Sequence, residues 1–570
     1  MPASRFRSSP WAEGCAVVLA TILGLAVFGR AFGPYWDSWY YFHHAEPFSR
    51  WLASWWTGES VPPLSDFRAY FPEEDMHPPL MVYGAGFFHA FFHPLLGHLG
   101  SCRLMIICFS ALWCGAFYLF LRSRVGGMLA LSGLALLAGC PRFWVHAVLL
   151  NIDGLVASIY GLALLSFRLW DRGWQGKAWI WFILTLGFLT KLQSFYLIPI
   201  LGVWVAVCSW KARSAEPVAS RCQAAFFQCL SAGGVVLLAL LAAFLAWPAL
   251  WIDFPDGLYR YIRFITRHSN VPVLYFGTLY KGDSIPPWHY PWLYTVLALP
   301  PLPVLLILSR AVRKAWNRCS GKTHHPSPVD PLLWMGFLTP LLVSSLPFAP
   351  KYDEVRLLLP AYGPMFLLAA QELAWWFGCF EEAVKARVRF PYRRLILLGV
   401  TVLILLPSIR IYPFNLVYFS PLIGGVSGAR EKGFDLEYLG VSMHLLNPTL
   451  QKVAREGDVL LLAGCNALVY ETGPEGWPPI PPGLFPVDFK MLREISFEKR
   501  SVFAILSSRY GDLGPEAHLV LDKLPALATV AFNGERLFSL HRITPEFVQQ
   551  LPGELLKQQQ QQISEPSQSL

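Results

Sequence analysis

The sequence predicts an α-helical membrane protein that crosses the bilayer about eleven times, followed by a small α/β region. Three observations predict it. The chain of 570 residues is 54% hydrophobic and only 15% charged, whereas a soluble globular chain carries about 25% charged residues. Apolar runs such as Cys15 to Phe32, Leu104 to Leu121 and Phe226 to Trp247 reach the roughly 20 helical residues that span the hydrocarbon layer. Within that layer every backbone polar group needs an internal partner, so these runs become helices. Third, the basic residues gather in short connections between the runs, which is the orientation signal of membrane proteins.

The net charge of +9 therefore does not indicate a nucleic-acid partner; no basic stripe with interleaved aromatics is present. The 11 cysteines are scattered, mostly in apolar runs or basic loops, with only Cys465 in the C-terminal region. They show neither a disulfide framework nor zinc-ligand spacing. Arg5 and Arg7 before the first run resemble a signal peptide. Bulky Phe32, Tyr35 and Trp36 follow the run without a small-residue cleavage site, so a retained anchor is expected.

The spans read in order as 14–32, 103–121, 126–140, 153–169, 178–191, 193–209, 226–247, 289–309, 331–347, 357–377 and 394–412. A further apolar segment, 80–96, is decided by orientation. With the N-terminus in the cytoplasm and 80–96 not crossing, Arg122 and Arg124, the Arg168–Lys177 loop, the Lys211–Arg221 loop, the Arg310–Lys322 loop and the Lys385–Arg394 loop share the cytoplasmic side. Crossing would invert every later loop, so 80–96 is expected to be interfacial or re-entrant. Pro79, Gly84, Gly86, His89, His93 and His98 suit a helix at the surface.

This divides the chain into a transmembrane domain, 1–412, with a first external loop at 33–102; an extracytoplasmic α/β appendage, 413–555; and a disordered tail, 556–570, holding the glutamine tract. Strand-like runs occupy Asp458 to Tyr470, Ser501 to Ser507 and Leu527 to Phe532, and Pro474 to Pro486 reads as loop. No internal repeat is evident, which weakens a transporter built from duplicated halves.

Chemistry-bearing residues gather on the external side. Asp37 follows the first span among Tyr35, Trp36, Trp39, Tyr40 and Tyr41. It is either a solvated acid in an aromatic belt or a desolvated general base suited to a hydroxyl acceptor. The same loop carries Asp66, the acidic run Glu73-Glu74-Asp75, and His77 before Pro78-Pro79. The second external loop holds Arg142, His146 and Asp153; Arg142 and Asp153 either pair with each other, or Asp153 joins Asp37 over a shared pocket. Lys191 lies between two apolar runs against the positive-inside bias, and Lys351 and Arg356 sit in a similar turn. These cations either snorkel, pair with Asp353 and Glu354, or hold a lipid-linked phosphate, where fixed charge stabilises a leaving phosphate. The loop 248–288 contains Arg260, Arg263 and Arg267 at helical spacing, His268, and Tyr280. Its bland reading is an amphipathic helix against headgroups. Hydrolase, ATPase and redox signatures such as GxSxG, a P-loop, HExxH or a dinucleotide fingerprint are missing.

The ordered set resembles the GT-C glycosyltransferases, and more narrowly the family 39 group of protein O-mannosyltransferases and lipid A aminoarabinose transferases. The resemblance covers roughly residues 11 to 440 and rests on Asp37 with Tyr40-Tyr41, His77-Pro78-Pro79-Leu80, Pro141-Arg142-Phe143 with His146 and Asp153, and Thr190-Lys191. Further matches are Trp247-Pro248-Ala249-Leu250-Trp251, Lys351 to Arg356 followed by Leu357-Leu358-Leu359-Pro360, and Tyr418 to Gly425. It implies an inverting transfer of a sugar from a polyprenyl-phosphate donor to a hydroxyl acceptor on protein, lipid or glycan. By that resemblance Asp37 activates the acceptor and Asp153 is a second carboxylate. Lys191, Lys351 and Arg356 hold the donor phosphate. Tyr40, His77, Arg142, His146, His268 and Tyr280 are the candidates for the substrate pocket. No metal or other cofactor is required by the resemblance, although the carboxylates could bind a divalent ion. One departure is Ser38 after Asp37, where the family usually has a glutamate. The Tyr418 to Gly425 pattern resembles bacterial members and implies a bacterial inner membrane, with the N-terminus cytoplasmic and the appendage outside. The alternatives are a lipid-linked-sugar transporter, which would want charges along a path within the spans, and a non-catalytic assembly subunit.

Overall fold

The computed structural model describes residues 9–63, 66, 69–70, 77–266, 271–320, 329–384, 391–464 and 483–564. Its helices are α1 (Pro10–Phe28), α2 (Trp36–Thr57), α3 (Leu80–Val125), α4 (Gly127–Ala138), α5 (Pro141–His146), α6 (Ile152–Ser166), α7 (Gly173–Phe188), α8 (Leu197–Ala212), α9 (Val218–Leu245) and α10 (Asp256–Thr266). The series continues with α11 (Tyr290–Ala298), α12 (Pro301–Cys319), α13 (Asp330–Ser344), α14 (Leu359–Val384), α15 (Pro391–Ile411), α16 (Gly425–Glu431), α17 (Asn447–Val453), α18 (Pro515–Lys523) and α19 (Pro545–Ser564). The strands are β1 (Val273–Tyr275), β2 (Thr278–Tyr280), β3 (Val459–Ala463), β4 (Phe485–Asp488), β5 (Val502–Ser507), β6 (Ala526–Phe532) and β7 (Glu535–Ile543).

Every predicted span is helical. Seven helices among the described residues are long and apolar enough to cross a membrane, which makes this a multi-pass membrane protein. The remaining predicted spans are shorter helices, α4, α7 and α13, or are interrupted. The 289–309 span is two helices, α11 and α12, because Pro300 and Pro301 cannot continue the backbone ladder.

Segment 80–96 is the first part of α3, and the helix breaks at Gly97, whose φ of +70° lies in the left-handed region. That break lets the chain change direction between the histidine-bearing segment and the span that follows. The first external loop also holds a helix that the aromatic-rich sequence hides, α2.

The chain forms two compact units. The first comprises Met1–Arg30, Tyr41–Asn270 and Ile285–Leu422. At its centre stand α6 and α14, whose apolar windows are 78% and 83% buried, against 17% for α1 and 22% for α15. Trp113 of α3 fits against α6 and α14 where both offer glycine: a Cβ at Gly161 would stand 2.7 Å from the indole, and one at Gly363 3.0 Å. Small residues at such crossings are how membrane helices gain close packing.

The second unit comprises Ala31–Tyr40, Val271–Ser284 and Ile423–Leu570. The expected boundary at 412/413 thus falls at 422/423, and two short segments from the helical region join this unit. The reason is local packing. A Cβ at Gly33 would strike the His444 ring, and Tyr275 and Phe276 of the β1–β2 hairpin stack edge-on against Phe434. The sheet runs β4-β3-β5-β7-β6, with β4, β3 and β5 parallel and β7 antiparallel to β5 and β6. Its core joins Leu461, Ala504 and Leu506 to Leu519 of α18 and Leu551 of α19.

Strands β3, β5 and β6 match the three predicted runs; residues 465–482, including Cys465, lie outside the described residues. Two strands correct the reading. Phe485 and Pro486, at the end of the expected loop, belong to β4 (Phe485–Asp488), an edge strand, where a proline fits a ladder. β7 is disguised by its charged ends, yet it pairs on both sides. Helix α19 extends to Ser564, and residues 565–570 of the expected tail lie outside the described residues.

Candidate functional site

Asp153 sits in the first turn of α6, whose N-terminus is capped by Asn151: its side-chain oxygen accepts from Gly154 N at 2.8 Å. The carboxylate is 1% exposed. Burial of this kind is tolerated when the charge is paired, and here both oxygens are used. Lys191 Nζ donates to Oδ1 at 2.5 Å and Arg356 Nε to Oδ2 at 2.6 Å. Arg356 also reaches Asp353 Oδ2 through Nη1 at 3.0 Å. Lys191 comes from the turn between α7 and α8, and Arg356 from the turn before α14. Two separate connections thus converge on the carboxylate that α6 presents.

A second buried pair lies on the same loop. Arg142 of α5 bonds Glu354 through Nη1, gives Nε to the Tyr418 carbonyl at 2.7 Å, and stacks 4.6 Å from the Phe419 ring. Asp353 and Glu354 both adopt positive φ, 50° and 54°, a conformation that non-glycine residues take at a cost of roughly 1–3 kcal/mol each. The buried partners on either side, Arg356 and Arg142, compensate for it. The result is a turn that places one acid toward each arginine.

Of the two sequence alternatives for Arg142 and Asp153, mutual pairing is not what occurs: each has its own partner. Local pairing of Arg356 with Asp353 does occur, alongside the bridge to Asp153.

His146 closes α5 beside this group. Asn151 Nδ2 lies 3.3 Å from its Nδ1. Burial lowers its pKa to about 3, outweighing the pull of the Asp153 carboxylate, so it is neutral near pH 7.

Lys351 does not join the carboxylates. Its ammonium donates to the Leu346 and Ala349 carbonyls at 2.8 and 3.3 Å, satisfying the turn after α13, and burial lowers its pKa.

His77 packs edge-on against Phe264 and Tyr41. Just beyond it, Leu80 N bonds the Leu189 carbonyl at 2.9 Å, two residues from Lys191. The start of α3 is thereby anchored at the end of α7 that carries the charge cluster. Tyr83 Oη further donates to the Ala246 carbonyl at 2.7 Å, at the end of α9.

Asp37 lies in the first turn of α2, in the segment assigned to the second unit, as does Tyr40; Asp37 is half-buried, and Tyr280 belongs to β2 of that unit. His268 and Arg267 lie outside the described residues, as does the acidic run 73–75. Arg260 of α10 is paired with Asp256 at 2.7 Å. Among the described residues no group of three or more His, Cys, Asp or Glu could hold a metal ion.

A different charge cluster marks the opposite end of the helices. Arg310 forks onto Asp330, with Lys314 beside it, and Arg313 Nε donates to Glu372 Oε1 at 3.0 Å. Glu372 stands along α14 from Arg356 by roughly 24 Å at 1.5 Å rise per residue. Arg124 and Arg168 both cover the Phe120 ring at the C-terminal ends of α3 and α6. The residues of the predicted cytoplasmic loops thus gather away from Asp153 and Lys191.

Glu354 is the residue that sequence reasoning undervalues. Its position suggests only a local partner, whereas its arginine is 212 positions away. The available signal is Arg142 itself, a cation in an apolar stretch that demands a carboxylate from somewhere.

No family model matches the chain, and no curated protein matches it. Among solved structures it is similar to ArnT from Cupriavidus metallidurans in the apo state, at 14% identity over 93% of this chain and 98% of that one, with a TM-score of 0.46. It is similar also to that protein bound to undecaprenyl phosphate, at 14% identity over 92% and 97%, with a TM-score of 0.43. A third is the Archaeoglobus fulgidus oligosaccharyltransferase in the apo form, at 12% identity over 69% of this chain and 55% of that one, with a TM-score of 0.39.

Proposed function

We propose that the chain is a membrane glycosyltransferase that moves one sugar from a polyprenyl-phosphate donor to a hydroxyl acceptor on the extracytoplasmic face, with inversion. The observation that carries this reading is the convergence of Lys191 and Arg356 on Asp153 at one end of the helices. Both cations are partly exposed, 15% and 11%, so an incoming phosphate can share them without unfolding the site. Cations fixed in advance favour the transition state, in which charge grows on the leaving phosphate, over the ground state. Asp153 keeps the two cations in register while the site is empty. In this reading Asp37 takes the acceptor's proton as the new glycosidic bond forms at the anomeric carbon and the polyprenyl phosphate leaves with the electron pair of the old bond. The ordered motifs that resemble family 39 support the same assignment. A bacterial inner membrane, with the second unit outside, fits the arginine-rich end lying in the cytoplasm.

The test is transfer from a panel of radiolabelled polyprenyl-phosphate sugars by the purified full chain and by Asp37→Asn. The reading expects transfer with at least one donor and a loss of roughly 10²–10⁴-fold in Asp37→Asn, the range for a lost general base. Unchanged transfer by Asp37→Asn would remove the proposed base.

A further inference from the structure

Helices α3 and α6 end beside each other, and each brings an arginine to the same ring. Arg124 is the penultimate residue of the membrane-length segment Leu80–Val125, and Arg168 that of Ile152–Leu169. Phe120 lies four residues before Arg124 and so shares its face of α3. The Arg124 guanidinium is 3.8 Å and that of Arg168 5.0 Å from the centre of the Phe120 ring. Both fall inside the roughly 6 Å over which a cation and an aromatic face attract. The separation of the two guanidiniums is bounded by those distances together, and the like charges repel.

Arg124 closes its helix, donating Nη1 to the Phe120 carbonyl at 3.1 Å and to Ser123 Oγ at 3.4 Å, where a cation complements the helix end. The guanidinium of Arg168 makes no hydrogen bond and no ion pair among the described residues. No carboxylate meets the pair. Asp330 attracts Arg124, but its oxygens hold Arg310 and Lys314. Glu372 holds Arg313, and Asp171, three residues on from Arg168, pairs with neither arginine. Arg172 adds a further charge that repels Arg168. Orientation bias accounts for cations at this end. It does not account for two of them gathered on one buried ring while the nearby acids serve other partners.

We propose that Arg124 and Arg168 form a binding site for the phosphate of an anionic phospholipid. Guanidinium forks match phosphate geometry, and an anion between them removes their repulsion. Depth selects a bilayer lipid over a dissolved ion. Both arginines sit where a membrane-length helix ends, which is where the hydrocarbon layer gives way to headgroups, and basic residues between membrane helices at that level bind anionic headgroups. The site lies at the other end of the helices from Lys191 and Arg356. It stands whether or not sugar transfer is the activity.

The test is native mass spectrometry of the full chain equilibrated with vesicles of equal phosphatidylglycerol and phosphatidylcholine. Lys211→Gln/Arg213→Gln removes the same charge from exposed positions at the end of α8 and serves as the control. The proposal expects phosphatidylglycerol retained in preference to phosphatidylcholine. That preference is cut roughly 10–30-fold in Arg124→Gln/Arg168→Gln and about fivefold in Arg168→Gln alone, and it is little changed in the control. Arg168→Gln leaves no hydrogen-bond partner unsatisfied, so it reads the site even if the double variant fails to fold. Equal retention of the two lipids by the unaltered chain would overturn the proposal. So would a preference that survives Arg168→Gln or the double variant, or one that falls equally in the control. Displacement of the retained phosphatidylglycerol by excess inorganic phosphate would overturn it too, since the site would then be one for a dissolved anion.

Discussion

Arg356 reaches from the start of α14 to Asp153 on α6, its Nε 2.6 Å from Oδ2, and so shares one carboxylate with Lys191, which holds Oδ1 from the turn before α8. The bridge ties the two most buried helices of the first unit to each other at one end, and it gathers two cations that the sequence leaves far apart.

Breaking that bridge has a structural cost as well as a functional one. In Asp153→Asn Lys191 loses its carboxylate and Arg356 keeps only Asp353, and breaking a buried pair costs about 3–5 kcal/mol. The partial exposure of Lys191 and Arg356 puts the expected loss at the low end. Thermal unfolding in detergent checks it, and a fall in the midpoint is expected even before activity is measured.

Arg142 is not replaceable by lysine. Its planar fork serves Glu354, the Tyr418 carbonyl and the Phe419 ring together, and an ammonium is a point charge without that geometry. Arg142→Lys is expected to destabilise the first unit by about 2–3 kcal/mol, within the usual range for disrupted buried networks. Glu354→Gln should weaken the same pair, and the double variant should fall short of the sum of the two. Full additivity in unfolding measurements would show that the residues do not act as a pair.

The Trp113 contact sets a packing limit. Gly161→Val places a Cβ against the buried indole and is expected to cost about 1–3 kcal/mol, as overpacking does. Gly24→Leu, with open surroundings, should be neutral in the same unfolding assay.

The second unit should lose stability as pH rises. Burial raises the Glu437 pKa from its ordinary 4.5 to about 7, against the pull of the Ser442 hydroxyl and backbone; burial also raises Asp435 from 3.8 to about 6, with Arg509 opposing it. Both folded values exceed the unfolded ones, so the folded unit binds more protons. Stability is then fully present below about pH 4 and falls as pH rises through 6 to 7. Each tenfold gain in proton affinity on folding corresponds to about 1.4 kcal/mol. Hydrogen exchange of β3 and β5 between pH 4 and 8 reads this directly. Faster opening toward pH 8, reduced in Glu437→Gln, is the expected result.

The helices are legible in the sequence because each apolar run declares itself by length, and orientation bias places the break between 80–96 and the next span. α2 is hidden because its apolar residues are aromatic and interrupted by His43, His44, Glu46 and Pro47. Strands β4 and β7 are hidden by Pro486 and by charged ends whose pairing depends on neighbours remote in sequence. Within the site, Asp153, Lys191 and Arg356 stand out as charges beside spans, which is a local signal. Their pairing is not local: α6, the α7–α8 turn and the start of α14 meet only in the packed bundle. Lys351 carries the same local signal, yet a nearby helix end claims its ammonium.

The account depends most on Lys191 and Arg356 holding a lipid-linked phosphate. Equilibrium binding of a radiolabelled polyprenyl phosphate to the full chain in lipid nanodiscs tests this, with the Lys191→Gln/Arg356→Gln pair as comparison. The account predicts saturable binding that weakens roughly a hundredfold in the pair, the loss of two charge-assisted contacts. Equal affinity in both proteins, or none in the unaltered chain, would contradict it.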